Sequence, residues 1–439
     1  MERYFDSLAA IVQQSLRGGE RFTATFDAED TDFVRLNRGK VRQPGTVSQR
    51  YLSVRLIEGT RHGEHTLSLS GDLGRDGAAV RDAVSSLRAA LPDLADDPLL
   101  LLPSDVRGSR SVRDGALPPS EAVVDEVLRA ADGADLVGIY AAGPVFRGFA
   151  NSEGQRNWHV TTAFNLQWSL YHRADKAVKT GYAGFAWDPA VFGHKMANAR
   201  ERLALIGRPS RSLEPGKYRA YLTPSAMEEI AATLCWGGFS ARALATKQSS
   251  LDKMQDGAAL APSVSLVEDT EGGVAPAFQA DGFARPSRVP LIERGRLVGS
   301  LVSPRTAREF GLVENGANGA EMPESLAMAG GTLAEDDVLA ALDTGLAVGN
   351  LHYLNYSDRP ACRITGMTRF ATFWVENGKV VAPVDVLRFD DTVYRLLGAN
   401  LEALTTQTEF ILDAGTYQSR QLASVRLPGA LVKEMAFTL

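Results

Sequence analysis

The stretch from Gly345 to Val384 constrains the fold more than any other part of the chain. Within it, two apolar runs, 370–375 and 380–384, flank the dipeptide Asn377-Gly378. Because Asn and Gly tolerate positive φ at both central positions of a turn, this pattern predicts a tight hairpin between two strands. The aromatic-rich run 351–356 predicts another strand just upstream. We therefore expect an antiparallel meander at the centre of a C-terminal domain.

The rest of the chain mixes strand-like and helix-like blocks without a fixed repeat. Residues 164–171 alternate apolar and polar side chains, which predicts a strand with one face on a core. Helical spacing or capping signals predict helices at 1–16, 76–94, 121–131, 189–206 and 223–244, with a helical turn at 390–397. Other strands are expected at 32–36, 51–57, 136–140, 218–222, 263–267, 289–298 and 425–427. Since helices do not alternate regularly with strands, the predicted fold class is α+β: two lobes with mostly antiparallel sheets, flanking helices and a C-terminal β-meander domain.

The length of 439 residues favours two or three domains over one. Two prolines between Arg208 and Gly216 mark the main boundary, so we expect an N-terminal α+β lobe at 1–213 and a β-rich domain at 214–439. Segment 98–120 contains several prolines and no periodicity. It is predicted to be a linker between two sub-blocks of the first lobe.

Composition narrows the classes of function. The net charge of -6 gives no electrostatic footprint for nucleic acid. Two cysteines far apart in sequence do not make a disulfide framework, which fits a reducing compartment. The first residues lack the pattern of a signal peptide, and the longest apolar run, Leu99–Leu102, is too short to span a bilayer. We expect a cytoplasmic protein that binds neither nucleic acid nor a membrane.

Motifs for metal or nucleophilic chemistry are weak. Two His on one helix with a Glu would indicate a zinc peptidase, and this pattern is absent from the sequence. His62 and His65 form the only close pair, in a predicted turn, so a solvated turn is favoured over a metal site. Ser250–Lys253 matches Ser-x-x-Lys and Lys179–Gly181 matches Lys-Thr-Gly, but their order is the reverse of that in serine acyl-enzymes. Chance matches are therefore favoured.

Two further candidates have structural explanations. Cys235 lies in an apolar helical stretch, where a buried small hydrophobe is favoured over a reactive thiol. Glu228 and Glu229 could form an acid pair, but carboxylates in the first turn of a helix complement its dipole, so a structural role is favoured.

An ordered set of blocks resembles the TldD/PmbA family, once called modulators of DNA gyrase. The strongest block is Thr365-Gly-Met-Thr-Arg-Phe-Ala-Thr-Phe-Trp-Val-Glu-Asn-Gly-Lys-Val-Val-Ala-Pro-Val384, followed by Leu387-Arg-Phe-Asp-Asp391. The other blocks are 35–41 with 52–59, 148–154 with the strand at 164–171, and 281–298. The resemblance is scattered over most of the chain.

The resemblance implies a two-lobed fold and a peptidase that acts on unfolded or modified peptides. One subunit type of the family carries His-Glu-x-x-x-His on the helix after the lobe boundary, and the other type lacks this motif and pairs with the first. Here that helix, in the stretch Met227–Ser240, contains no His. The chain thus resembles the PmbA/TldE-like subunit: no catalytic residue or metal ligand is assigned to it, and zinc is expected in the partner.

Two functional hypotheses follow. In the first, the chain is the non-zinc-binding subunit of a metallopeptidase complex and completes a substrate channel beside a zinc-bearing TldD-like homologue. A peptide would bind by adding a strand to an exposed sheet edge. Candidate residues for the channel are Trp236, Asp358, Arg369 and Phe373. In the second, the chain is a homodimeric, chaperone-like module that binds peptides and cuts nothing.

Overall fold

Helices and strands occur in blocks along the chain in the computed structural model, which describes residues 1–173 and 176–438. In the first half the elements are α1 Glu2–Ser15, β1 Arg21–Asn37, β2 Lys40–Glu58, β3 Arg61–Ser68, α2 Leu73–Ala90, β4 Ser109–Arg113, α3 Ser120–Ala130, β5 Asp135–Asn151, β6 Arg156–Arg173, β7 Lys176–Gly184 and α4 Pro189–Ile206. In the second half they are β8 Gly216–Leu222, α5 Pro224–Cys235, α6 Ala241–Ala245, β9 Leu266–Asp269, β10 Arg288–Glu293, β11 Arg296–Leu297, α7 Pro304–Phe310, β12 Ser325–Met328, α8 Val338–Leu342, β13 Gly345–Asp358, β14 Arg363–Glu376, β15 Lys379–Pro383, β16 Arg388–Thr392, β17 Leu401–Leu412 and β18 Ser424–Phe437. The predicted fold class, α+β, is confirmed.

The first sheet uses strands from the first half only. Its order is β3-β2-β1-β5-β6-β4, with β7 paired to β6 beyond the end of β4. Every pair is antiparallel except β4 with β6. Helix α1 packs on one face through Phe5, whose ring lies 5.4 Å from Phe26 and 6.1 Å from Trp158 between centroids. Aromatic pairs at these separations add to the apolar burial that fixes the helix on the sheet.

The second sheet is mixed and closes on itself. Its order is β11-β10-β9-β12-β18-β16-β14-β13-β8, with β15 on β14 and β17 on β18. Strand β8 pairs in parallel with β13 and antiparallel with β18. The strands β18, β16, β14, β13 and β8 therefore form a closed ring of hydrogen-bonded pairs, and α5 packs against β13 and β18.

The predicted meander is confirmed, and its turn has the predicted conformation. Strands β13, β14 and β15 are antiparallel neighbours, and Glu376 pairs with Lys379 across the turn. Asn377 and Gly378 have φ values of 51° and 70°, as a type I′ turn requires. The dipeptides Arg38-Gly39 and Arg294-Gly295 close two other hairpins with positive φ at both positions.

The helix predicted at 223–244 is too long. It ends at Cys235, because Trp236 leaves the helical conformation and Gly237 has a φ of 80°. A new short helix, α6, begins after Ser240, whose hydroxyl accepts a hydrogen bond from the Ala243 N–H.

Two other segments also differ from prediction. The helical turn expected at 390–397 is wrong in its first half, which belongs to β16; a π-helical turn follows at Arg395–Ala399. Segment 98–120 contains β4, a strand that the proline-rich composition did not indicate. The two sheets use separate parts of the chain, while the division into domains at 213/214 stays a prediction.

A shared apolar cluster joins the two halves. Trp187 and Phe192 from the first half pack in one cluster with Tyr221, Phe373 and Leu431 from the second. This packing holds β7 beside β14 and β17 without hydrogen-bonded strand pairing between them. In the described residues, none of the helices combines the length and the apolar character needed to cross a membrane.

Candidate functional site

A polar cleft lies where the two halves of the chain meet, and we call it the interlobe cleft. One wall comes from β6 and β7, including Asn165, Gln167 and 179–183. The opposite wall comes from α5, β13 and the end of β17. The cavity between the walls has a volume of about 30 Å³, and the open space around it brings the total to about 470 Å³.

A second cavity continues the interlobe cleft along β6. Its volume is about 50 Å³, or about 440 Å³ with the open space around it, and it shares Asn165, Gln167 and Leu412 with the first. Its outer side is formed by residues 413–416 with Arg420 and Gln421. The shared residues join the two cavities into one groove along β6.

Helix α5 places three polar side chains in the cleft. The helix begins after Thr223, which caps it by accepting a hydrogen bond from Ala226 N–H at 3.3 Å, and Pro224 occupies the first helical position. Residues at i, i+3 and i+4 share one face of a helix, and here they are Ser225, Glu228 and Glu229, all in the cleft wall. The opposite face is buried in the core of the second sheet through Met227, Ile230, Ala231 and Leu234.

The two carboxylates of α5 have no partner. In the described part of the chain, neither the Glu228 nor the Glu229 carboxylate makes a hydrogen bond or an ion pair. Burial raises the pKa of Glu228 to about 7, and repulsion from Glu229 adds to this effect. Burial also raises the pKa of Glu229, while the exposed Lys179 across the cleft opposes both shifts.

Two amides in the cleft are also incompletely paired. Asn165 is 8% exposed, and its Nδ2 donates to the carbonyl oxygens of Leu412 at 3.3 Å and Asp413 at 3.2 Å. The buried Oδ1 of the same side chain has no hydrogen-bond partner. Asn350 is also 8% exposed, and its side chain makes no hydrogen bond within the described residues. The Asn350 amide therefore leaves hydrogen-bonding capacity unused in the cleft wall, as the described residues show it.

Cationic and aromatic side chains form the rim beside α5 and β7. The ammonium of Lys179 lies 5.9 Å from the centroid of the Phe370 ring, and the Arg369 guanidinium lies 5.5 Å from it. Burial, followed by repulsion from Arg369 and Lys179, lowers the pKa of His352. Phe370 and the exposed Tyr353 have φ values of 59° and 57°, which are unusual for bulky residues, and Tyr353 lies where the register of β13 shifts.

The structure separates the four residues that the sequence suggested for a channel. Arg369 lies at the rim just described. Trp236, 46% exposed, ends α5, and its carbonyl accepts a hydrogen bond from Arg359, the residue that follows Asp358 at the end of β13. Phe373 is only 3% exposed and belongs to the apolar cluster between the two sheets. The expectation for Phe373 is therefore corrected: alternation along β14 turns its ring into the core.

Sequence reasoning underestimated Glu228 and Glu229. They were expected to support the first turn of a helix, but α5 starts at Pro224, so they are its fifth and sixth residues and its first turn has no acidic side chain. Their spacing from Ser225 on one face was visible in the sequence. The opposing wall was not, because it comes from β6, β7 and β17.

The cysteines, Ser250 and His62, which the sequence raised as candidates for chemistry, lie in environments that account for them without a catalytic role. Burial raises the pKa of the Cys235 and Cys362 thiols to about 12, and the prediction of a buried Cys235 is confirmed. Ser250 is fully buried and accepts a hydrogen bond from Tyr356 Oη at 2.9 Å. His62 lies 3.2 Å from Asp97, between Nε2 and Oδ2.

The residues around α5 do not fit a zinc ion. Across 1–173 and 176–438, no three His, Cys, Asp or Glu side chains form a group that could hold a metal. Helix α5 offers two carboxylates and one hydroxyl to the cleft, whereas zinc sites use three or four ligands that are mostly His nitrogen and Cys sulfur.

Comparison with protein families identifies the class. Residues 215–439 match the model of the PmbA/TldA metallopeptidase C-terminal domain, so more than half of the chain has the sequence pattern of a metallopeptidase-related domain. The chain belongs to the TldD/PmbA family. No curated protein sequence matches it.

Solved structures share the whole architecture. TldE from Thermococcus kodakarensis has a TM-score of 0.78 at 13% identity, with 99% of this chain and 100% of that chain covered. A proposed modulator of a DNA gyrase from Thermotoga maritima has a TM-score of 0.75 at 14% identity over 100% of both chains. Another from Bacteroides thetaiotaomicron has a TM-score of 0.75 at 16% identity, covering 99% of this chain and 98% of that one. At these identities the likeness shows the fold.

Proposed function

We propose that this chain is the non-zinc-binding subunit of a TldD/PmbA-type metallopeptidase complex, and that it holds peptide in the interlobe cleft. The partner is a zinc-bearing TldD-like homologue, which supplies the metal and the hydrolytic chemistry. The substrates are unfolded or modified peptides of the cytoplasm. This chain contributes no catalytic residue and binds neither nucleic acid nor a membrane.

One observation carries the proposal. The cleft contains the Glu228 and Glu229 carboxylates and the Asn350 amide, which have no partners among the described residues, and it also contains an unpaired edge of β7. Among the described strands β7 pairs only with β6, and residues 180–183 of β7 line the cleft. A peptide laid along this edge can form main-chain hydrogen bonds that do not depend on its sequence. Phe410, Ile411 and Leu412 line the same cleft and offer apolar contact to its side chains.

The absence of His from α5 supports the assignment of roles. The family motif for zinc needs two His on this helix, and the helix places Ser225, Glu228 and Glu229 in the cleft instead. Positioning and water exclusion are therefore what this chain supplies. A bound extended peptide loses conformational freedom, which favours its reaction at the partner's metal.

Reconstitution tests the proposal. The chain and a zinc-bearing homologue with His-Glu-x-x-x-His are purified separately and mixed, and cleavage of an unfolded protein is measured with each alone and with both. We expect a stable complex and cleavage that needs both chains. Cleavage by this chain alone would contradict the proposal, and so would a stable self-pair with no affinity for the homologue, which is the homodimeric alternative.

A variant that fills the cleft tests where the peptide binds. Ser225→Phe adds a ring on the cleft face of α5 and leaves the core face of the helix unchanged. We expect the complex to form and cleavage to fall at least about tenfold, since the cleft wall loses room for a chain. Ser86→Phe makes the same change on an exposed face of α2 and serves as the matched control. Equal cleavage by both variants would place the peptide elsewhere.

A further inference from the structure

Negative side chains outnumber positive ones in the lining of the interlobe cleft. Glu228 and Glu229 face it from α5, Lys179 from β7 and Glu409 from β17, and Asp413 follows β17. Among the described residues, Lys179 is the cation that offsets the Glu228 charge, and it lies over the Phe370 ring without an ion pair to either glutamate. Glu409 already pairs with Lys195 at 2.5 Å. The pair on α5 therefore has no ion-pair partner within 1–173 and 176–438.

A second feature points to the same ligand. The side chain of Asn350, more than nine-tenths buried, lines this cleft and has no hydrogen-bond partner among the described residues. Its amide oxygen can accept a hydrogen bond from a ligand in the cleft. A ligand that brings a hydrogen-bond donor into the cleft would pair with the Asn350 oxygen.

We propose that Glu228, Glu229 and Asn350 hold a primary ammonium group of the bound peptide, supplied by its amino terminus or by a lysine side chain. An ammonium group has three donors and no acceptor, and this wall offers carboxylate and amide oxygens. Charge-assisted bonds of this kind are about twice as strong as neutral ones. The inference rests on the proposed function and adds a preference for cationic peptides to it.

The two sources of the ammonium group give different pH profiles. Binding needs an ionised Glu228, whose pKa is about 7 in the free protein, with Glu229, Lys179, Glu409 and Asp413 as the charged groups around it. For a lysine side chain, affinity rises from pH 6 to pH 8 and then stays level. For an amino terminus, whose pKa is about 7.7–8.0, affinity falls again above pH 8.

The experiment uses the full chain, alone and in complex with the zinc-bearing homologue, with zinc removed by a chelator during binding so that the peptides stay intact. Four pentapeptide amides built on Ala-Ala-Phe-Ala-Ala are compared by calorimetry: one with a free amino terminus, one acetylated, and two acetylated with Lys or norleucine at the second position. We expect one ammonium-bearing form to bind at least about tenfold more tightly than its uncharged match.

Variants assign the effect to the wall of α5. Glu228→Gln with Glu229→Gln should abolish the difference between charged and uncharged peptides, while Glu293→Gln, an exposed glutamate of the β10–β11 hairpin, should preserve it. If all four peptides bind equally well, the ammonium site is wrong and the proposed function stands. If none binds in either state, the proposed function fails as well.

Discussion

Burial acts on a glutamate in two regions of the molecule, but the hydrogen bonding of the two carboxylates differs. Glu321, 2% exposed, accepts hydrogen bonds from Ser240 Oγ at 2.5 Å, Arg242 N–H at 3.0 Å and Ser303 N–H at 2.8 Å. Burial alone would raise its pKa, but these donors lower it below the usual value. The Glu228 carboxylate in the interlobe cleft accepts no hydrogen bond from the described residues, and its pKa is raised to about 7.

What distinguishes a structural glutamate from Glu228 is whether hydrogen-bond donors reach its carboxylate, and a raised pKa alone does not separate the two. Glu268 also has a pKa of about 7, because burial outweighs the backbone N–H groups of Glu324 and Ser325 that donate to it. Glu268 is nonetheless a structural carboxylate, since its oxygens are occupied. A half-buried carboxylate with a raised pKa and no donor among the described residues is the feature that makes the cleft a candidate binding site.

The largest expected effect on stability is at Glu321, whose carboxylate accepts three hydrogen bonds. Glu321→Gln removes the charge that three donors converge on, and we expect the free energy of unfolding to fall by about 3 kcal/mol at pH 7. Urea denaturation followed by circular dichroism measures this. A change below about 0.5 kcal/mol, the usual size for a surface substitution, would remove the contrast between the two glutamates.

Glu228→Gln should raise the free energy of unfolding, by less than Glu321→Gln lowers it. The folded protein raises the pKa of Glu228 above its usual value of 4.5, so the native state binds a proton more readily than the unfolded state. Stability attributable to this group is therefore greatest below pH 4.5 and falls as the pH rises to about 7. At pH 8 we expect Glu228→Gln to be about 1–2 kcal/mol more stable than the parent, after allowance for solvent screening.

The pH dependence provides the control for this variant. At pH 4.5 the parent is largely protonated at Glu228, so the gain in unfolding free energy should shrink towards zero. Thermal or urea unfolding at both pH values measures it. If Glu228→Gln is instead less stable than the parent at pH 8, the Glu228 carboxylate makes stabilising contacts within the protein and is not free to bind a ligand.

The smallest expected effect on stability is at Asn350. Its side chain makes no hydrogen bond within the described residues, so Asn350→Ala should change the unfolding free energy by less than about 0.5 kcal/mol. The same variant should weaken binding of the ammonium-bearing peptide several-fold in calorimetry. Asn165→Ala is the matched comparison: its Nδ2 bonds to Leu412 and Asp413 are lost, so it should destabilise the fold by about 1–2 kcal/mol.

Local chemistry predicted local structure well. The Asn377-Gly378 turn follows from the φ values these residues tolerate, and α4 spans Pro189–Ile206 as predicted because Asp188 caps it and Pro189 suits the first position. Strand β17 was missed, since its Thr- and Gln-containing run lacks a clear apolar alternation. β18 was predicted only at 425–427, because Pro428-Gly429 resembles a turn while the structure keeps both in the strand.

The candidate site was predictable only on one wall. Helix α5 and the absence of His from it could be inferred from the sequence and the family resemblance. The cleft itself unites Asn165, Lys179, Glu228, Asn350 and Glu409, which lie in five different elements. Contacts of such separation depend on how the two sheets pack, and no local pattern in the chain specifies that packing.

The ring closure at β18 has a consequence for how the chain matures during translation. Strand β8 pairs with β18 through Leu222 and Ala430, so its partner is made roughly 200 residues later, whereas the first sheet is complete at Gly184. At about 5–20 residues per second, the first half has ten seconds or longer to fold before the last strand leaves the ribosome. During that interval the nascent second half carries open strand edges, and chaperones that shield such edges would limit its aggregation until β18 is inserted.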